Sequence, residues 1–137
     1  MKIGDFMKED LLNSFSDLLQ KKGFANLSTL QPDGSPQVTP VWFDLEGGML
    51  RINTAVGRKK DRNMRERPKV AISILDPDNP YKYVSIRGVV HKRTKEGADE
   101  HIITLAKKYL DVNEYPYRSP DETRVLYLIK PISVSGI

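Results

Sequence analysis

Phe24-Ala-Asn-Leu-Ser-Thr-Leu30 and Gln37-Val-Thr-Pro-Val-Trp-Phe-Asp44 are two strand-like runs joined by Gln31-Pro-Asp-Gly-Ser-Pro36. The Asp33-Gly34 pair in that connection is a strong hairpin signal. Glu46-Gly47-Gly48 makes a second turn into Met49 to Thr54, so three consecutive antiparallel strands are expected as a meander. Working outward, Leu11, Leu12, Phe15, Leu18 and Leu19 recur at helical spacing and Gly23 supplies a stop, which predicts a first helix over about residues 7 to 22. A short helix is expected from Lys59, ended by Pro68. Val70 to Leu75 and Tyr81 to Thr94 read as strands, with Gly88 marking a bulge or a close approach. Ala98, Ile102, Leu105, Ala106 and Tyr109 describe an amphipathic helix. Val125 to Ile129 and Ile132 to Ile137 close the chain as a strand pair split by Pro131. Short hairpins with few helices argue for an antiparallel barrel over a doubly wound parallel sheet.

The 137 residues suffice for a single domain over 1–137, with no linker or repeat to divide it. There is no cysteine, which excludes thiolate metal sites, a thiol nucleophile and a disulfide framework. The N-terminal sequence lacks a signal-peptide pattern, and no apolar run approaches the ~20 residues needed to span a bilayer. A cytoplasmic protein without membrane association is expected.

The charge is unevenly placed. Between Arg51 and Lys69 stand eight basic residues against two acids, Asp61 and Glu66, a local charge of +6 in a chain whose total is +4. Within that stretch, Asn53-Thr-Ala-Val-Gly-Arg-Lys-Lys-Asp-Arg-Asn63 runs from a strand end through a glycine turn into a helix start. A helix N-terminus offers unpaired N–H groups and positive partial charge, so it suits an anion. Arg58, Lys59, Lys60 and Arg62 work against that dipole, at a cost of about 0.3–1 kcal/mol per charge. A bound dianionic phosphate reverses the penalty, with arginine as a two-pronged clamp and lysine as a mobile point charge. Three readings of the patch stand side by side: a solvated basic face, a nucleic-acid surface, and a seat for the phosphate of a small ligand. The nucleic-acid reading lacks the interleaved aromatics of a single-strand binder. His91 and His101 have no nucleophile or clustered carboxylates beside them, so both read as ordinary surface or helix residues, and neither a metal site nor a side-chain catalyst is expected.

Gly34-Ser-Pro-Gln-Val-Thr-Pro-Val-Trp-Phe43, Arg51-Ile-Asn-Thr54, and Arg58-Lys-Lys-Asp-Arg-Asn-Met-Arg-Glu-Arg-Pro-Lys-Val-Ala-Ile72 together resemble the pyridoxamine 5′-phosphate oxidase-like split-barrel superfamily. The resemblance runs from about Phe24 to Gly88. It implies a mainly β (α+β) fold, a six- to seven-stranded antiparallel split β-barrel with flanking helices. Arg58-x-Lys60-x-Arg62-Asn63 is most similar to the branch using the deazaflavin F420. Adjacent Arg58-Lys59 also matches the FMN-dependent oxidases, so F420 is favoured and FMN is the alternative. The resemblance implies that Arg58 and Lys60 hold the cofactor phosphate, with Lys59 and Asn63 assisting. It places the strand Gln37, Val38, Thr39, Pro40 and Val41 along the ring system, and has Asn53, Thr54 and Ala55 supply polar and backbone contacts. Pro40 suits an edge strand because it lacks a ladder donor.

Family members are homodimers with the cofactor between subunits, which makes Trp42, Tyr81, Tyr83 and Arg87 candidates for the partner surface. The implied activity is an oxidoreductase passing a hydride to a small conjugated organic substrate, the cofactor doing the hard step. A non-catalytic carrier of F420 or FMN and a nucleic-acid-binding module are the rivals. True pyridoxamine phosphate oxidases carry a further C-terminal substrate segment that Pro131-Ile-Ser-Val-Ser-Gly-Ile137 does not match, so that particular activity is not expected.

Overall fold

A computed structural model describes residues 12–137. In chain order the elements are α1 (Ser16–Gln20), β1 (Ala25–Leu30), β2 (Pro36–Val41), β3 (Phe43–Glu46), β4 (Met49–Ala55), α2 (Lys59–Glu66), β5 (Lys69–Asp76), β6 (Asn79–Thr94), α3 (Ala98–Leu110) and β7 (Arg124–Gly136). The expected first helix ends at Gln20, earlier than predicted, and its residues 7–11, Leu11 included, lie outside the described residues. Leu12, Leu18 and Leu19 are buried, as their spacing requires.

Seven antiparallel strands form one sheet in the order β2-β1-β5-β6-β7-β4-β3, curled into a split barrel. The expected meander does not form. β1 pairs with β2 through the Asp33-Gly34 turn, Ala25 opposite Val41 and Leu30 opposite Pro36. The run from Gln37 to Asp44 then breaks at Trp42, and Phe43 begins β3 on the other edge of the sheet, opposite Ile52 of β4. Curling brings the two edges together, so one stretch of chain finishes one edge and starts the other. The corner is pinned from α3. Lys108 Nζ donates to the Phe43 carbonyl at 2.8 Å, and the Phe43 amide donates to the Tyr109 hydroxyl at 3.3 Å. Burial pushes Lys108 down to about 8 and Tyr109 up to about 12.

The core lies inside the curl, where alternate residues point. β5 shows the pattern plainly: Val70, Ile72 and Ile74 are buried while Lys69, Ala71 and Leu75 are exposed. Phe43, Leu50, Ile52, Ile86 and Tyr127 complete it. No helix among the described residues is long and apolar enough to cross a membrane.

The closing strand pair proves to be one continuous strand, β7. Pro131, which has no N–H to donate, is absorbed by a bulge: Arg87 faces Ser133 while Gly88 faces Pro131, leaving Ile132 extra. Gly88 also allows a close approach. A Cβ there would meet Ile129 Cγ2 at 2.7 Å and the Lys130 carbonyl oxygen at 3.0 Å. Gly88→Ala is therefore expected to destabilise the protein by about 1–3 kcal/mol in denaturant or thermal unfolding. An unchanged midpoint would mean that the β6–β7 bulge is slack.

Candidate functional site

The site is built where β4 ends and α2 begins. Gly57 carries φ +90°, a conformation that side chains disfavour, and so turns the chain from strand to helix. Its amide donates to Asp61 Oδ2 at 2.9 Å. Asp61 is wholly buried. Tyr127 OH donates to its Oδ1 at 2.5 Å and Arg93 Nε donates to the same oxygen at 2.9 Å. Burial pushes the Asp61 carboxyl up, but the hydrogen bonds from Arg93, Tyr127 and the Gly57 amide outweigh it and hold the group below the usual carboxylate range. One acid within a basic segment thus fastens the start of α2 to β6 and β7.

Facing that helix start is a cleft of about 310 Å³. Arg58, Lys60 and Arg124 supply its cations. Among the described residues a single carboxylate answers them: Glu122 accepts from Arg58 Nη2 and from Arg124 Nη1, each at 3.1 Å. Lys60 is depressed, first by burial and then by repulsion from Arg58 and Arg124. Thr54 is buried on the cleft wall, and its Oγ1 is a buried side-chain atom without a hydrogen-bond partner among the described residues. Such an orphan is uncommon in a folded protein and marks a place where a ligand oxygen or a water fits.

The remaining walls are apolar and aromatic: Phe24, Pro40, Val41, Trp42, Ile102, Leu105 and Tyr115. Tyr109 is stacked between Phe24 and Trp42, with ring centroids 5.7 and 5.2 Å away, and Tyr115 meets Trp42 edge-on at 6.2 Å. These pairings hold the indole against the barrel end. The arrangement is a cleft that combines aromatic and apolar side chains with three cations, suited to a molecule that joins an aromatic ring to an anion.

Of the residues expected at a site, the cleft brings together Pro40, Val41, Asn53, Thr54, Arg58 and Lys60. Gln37, Val38, Thr39, Ala55, Lys59 and Asn63 are not among its lining. Asn63 is buried, donating to Thr29 Oγ1 at 3.0 Å and accepting from Arg67 Nη2 at 3.4 Å. Pro40 does lie on an edge strand, with β1 as the only ladder partner of β2 among the described residues. Trp42 lines the cleft, while Tyr81, Tyr83 and Arg87 are exposed.

His101 corrects the sequence reading of an ordinary surface or helix residue. It is in a helix, but it is buried and held between Asn53 and Asp44, because the face of α3 that carries it packs onto β4. His91 is exposed.

Sequence reasoning missed Arg124, Tyr115, Phe24, Ile102 and Leu105. An arginine beginning an apolar strand was the one available signal for Arg124. The basic stretch is also less uniform than its composition suggests. Arg51 is spent on Asp44 and Glu46, and Arg67 on Glu66 and the Leu30 carbonyl. Among the described residues no group of three or more His, Asp or Glu side chains could hold a metal ion.

A family model described as pyridoxamine 5′-phosphate oxidase matches residues 11–137. Among solved structures, the chain is similar to an F420 reductase at 34% identity, over 88% of this chain and 94% of that one, with a TM-score of 0.78. It is also similar to the conserved hypothetical protein Rv2991 of Mycobacterium tuberculosis, at 22% identity over 90% and 82% of the two chains, TM-score 0.69. The General Stress Protein 26 of Bacillus anthracis is 19% identical over 96% and 93%, TM-score 0.68. At the last two identities the likeness is one of fold.

Proposed function

Because the chain belongs to the pyridoxamine 5′-phosphate oxidase family, we propose that its cleft binds a phosphorylated flavin-type cofactor, F420 in preference to FMN, and that the protein is an oxidoreductase acting on a small conjugated organic molecule. The observation that carries this reading is three cations, Arg58, Lys60 and Arg124, lining one cleft with Glu122 as the carboxylate paired to them among the described residues. A dianionic phosphate supplies the missing negative charge. The similarity to an F420 reductase supports the deazaflavin over FMN.

When bound, such a cofactor would supply the hydride chemistry. The chain's residues do the rest. Arg58 and Arg124 would offer guanidinium forks to the phosphate and Lys60 a point charge. Pro40 and Val41 on the edge of β2 and the Trp42–Tyr115 corner would wall the ring and exclude water from it. The partner in this reading is a second copy of the chain, with the cofactor at the subunit interface. A groove of about 600 Å³ lined by Leu30, Ala71, Val89 and Ile132, with Ser28, Lys69 and Arg87 beside them, supports that assembly.

The test is a titration of the stripped protein with F420 and with FMN, read by Trp42 fluorescence and ring absorbance. Saturable binding at micromolar levels or tighter is expected, with F420 the stronger. Absence of binding by both overturns the proposal. Binding with no reduction or reoxidation by any electron partner reduces the protein to a carrier.

A further inference from the structure

His101 lies one layer behind the cleft, and its bonds run toward it. The residue is 1% exposed at its side chain, and its ring nitrogens meet two different partners. Nδ1 is 3.1 Å from Asn53 Nδ2, and Nε2 is 2.9 Å from Asp44 Oδ1. Asn53 Nδ2 also donates to the Ala98 carbonyl at 2.9 Å, and Asn53 Oδ1 accepts from Arg124 Nε at 2.8 Å.

These partners fix every proton. Asn53 cannot be turned over, because its nitrogen would then oppose the Arg124 Nε–H and its oxygen would oppose the Ala98 carbonyl. Nδ2 therefore faces His101, so Nδ1 is the acceptor and Nε2 carries the hydrogen donated to Asp44. Asp44 is an ionised acceptor. Burial pushes its carboxyl up, but His101 and Arg51 together hold it below the usual range.

Arg124 is thereby oriented on three sides. Its Nε is on Asn53, its Nη1 is on Glu122, and its guanidinium carbon lies 5.3 Å from the Tyr115 ring centroid. Nη2 has no hydrogen bond among the described residues, and the side chain lines the cleft.

We propose that His101 is a positioning residue: its unprotonated Nδ1 locks the Asn53 amide, and Asn53 in turn aims the Arg124 guanidinium at the anion bound in the cleft. The anion's identity rests on the cofactor reading above, whereas the alignment of Arg124 does not.

Two substitutions separate this role from plain packing. In His101→Asn the side-chain oxygen takes the place of Nδ1, keeping the acceptor for Asn53 and losing Asp44. In His101→Gln the side-chain nitrogen takes the place of Nε2, keeping Asp44 and losing the acceptor. Titrated with F420 and FMN, His101→Asn should bind within about threefold of the parent, and His101→Gln about tenfold more weakly, the loss of one oriented polar contact. In nitrogen-15 NMR the Arg124 Nε–H should stay slowly exchanging in the parent and in His101→Asn, and be lost in His101→Gln.

Equal behaviour of the two variants, or the reverse order, overturns the proposal. So does an Nδ1-protonated tautomer of His101 in the parent protein near pH 8, which needs no variant to fold. If the parent binds neither cofactor, the functional reading fails while the Nε–H signals still decide the role of His101.

Discussion

Lys60→Ala is expected to weaken binding of the phosphorylated cofactor about a hundredfold, as befits a partly desolvated cation removed from a charge-assisted pair. The amine is half-buried on the cleft and is already disfavoured there by burial and by Arg58 and Arg124. A bound phosphate relieves that repulsion, so the interaction it gains from Lys60 exceeds what an exposed surface lysine offers. Arg58→Ala should cost less, about tenfold, because Arg58 is more than half exposed and shares Glu122 with Arg124. Lys59→Ala is the control: Lys59 is exposed and outside the cleft lining, and its loss should change affinity about twofold at most, through screened charge alone. The dissociation constants come from Trp42 fluorescence at fixed ionic strength. Equal losses at Lys59 and Lys60 would show that the cofactor senses only the overall basic charge.

For Asp61→Ala the expected result is a loss of about 3 kcal/mol of stability, and a fall in Tm of roughly 10 °C. The substitution removes a wholly buried carboxylate and strands the groups that surround it: Arg93, the Tyr127 hydroxyl and the Gly57 amide. Acid should reproduce part of this in the parent. The Asp61 pKa is depressed in the folded protein, so its contribution is present in full above the unfolded value of about 3.9 and is lost as pH falls through the lower folded value. The stability gap between parent and variant should therefore be widest near neutrality and narrow below about pH 4. A gap independent of pH would mean that the cost is one of packing, with no electrostatic part.

Much of the fold was legible because it rests on local signals. The Asp33-Gly34 turn, the alternation along β5, the stop at Pro68 and the amphipathic spacing of α3 each act over a few residues. The break at Trp42 was not legible, since nothing between Gln37 and Asp44 announces a corner. Barrel closure puts it there, together with Lys108 and Tyr109, which stand 65 and 66 residues away. The cationic site was readable in the same limited sense. Arg58 and Lys60 stood out because they oppose a helix dipole. Arg124 did not, because its partners Asn53 and Tyr115 come from other elements. Asp61 was counted only as a charge in a basic run. Its partners lie 32 residues away at Arg93 and 66 away at Tyr127, so only the folded chain shows that it fastens α2. His101 was misjudged for the same cause, its carboxylate partner being 57 residues distant.

The bond between Asn53 and Arg124 spans 71 residues, and it has a meaning for how the molecule comes into being. Contacts this far apart in sequence form late, because the chain must first be brought together over that distance. A nascent chain that has emerged only as far as α3 already holds Arg58 and Lys60. It has neither Arg124 nor Tyr127, one of the groups that hold Asp61 under the helix bearing those cations. In the cofactor reading proposed above, the cationic site is therefore complete only once β7 has docked between β6 and β4, whatever the order in which the rest of the barrel forms.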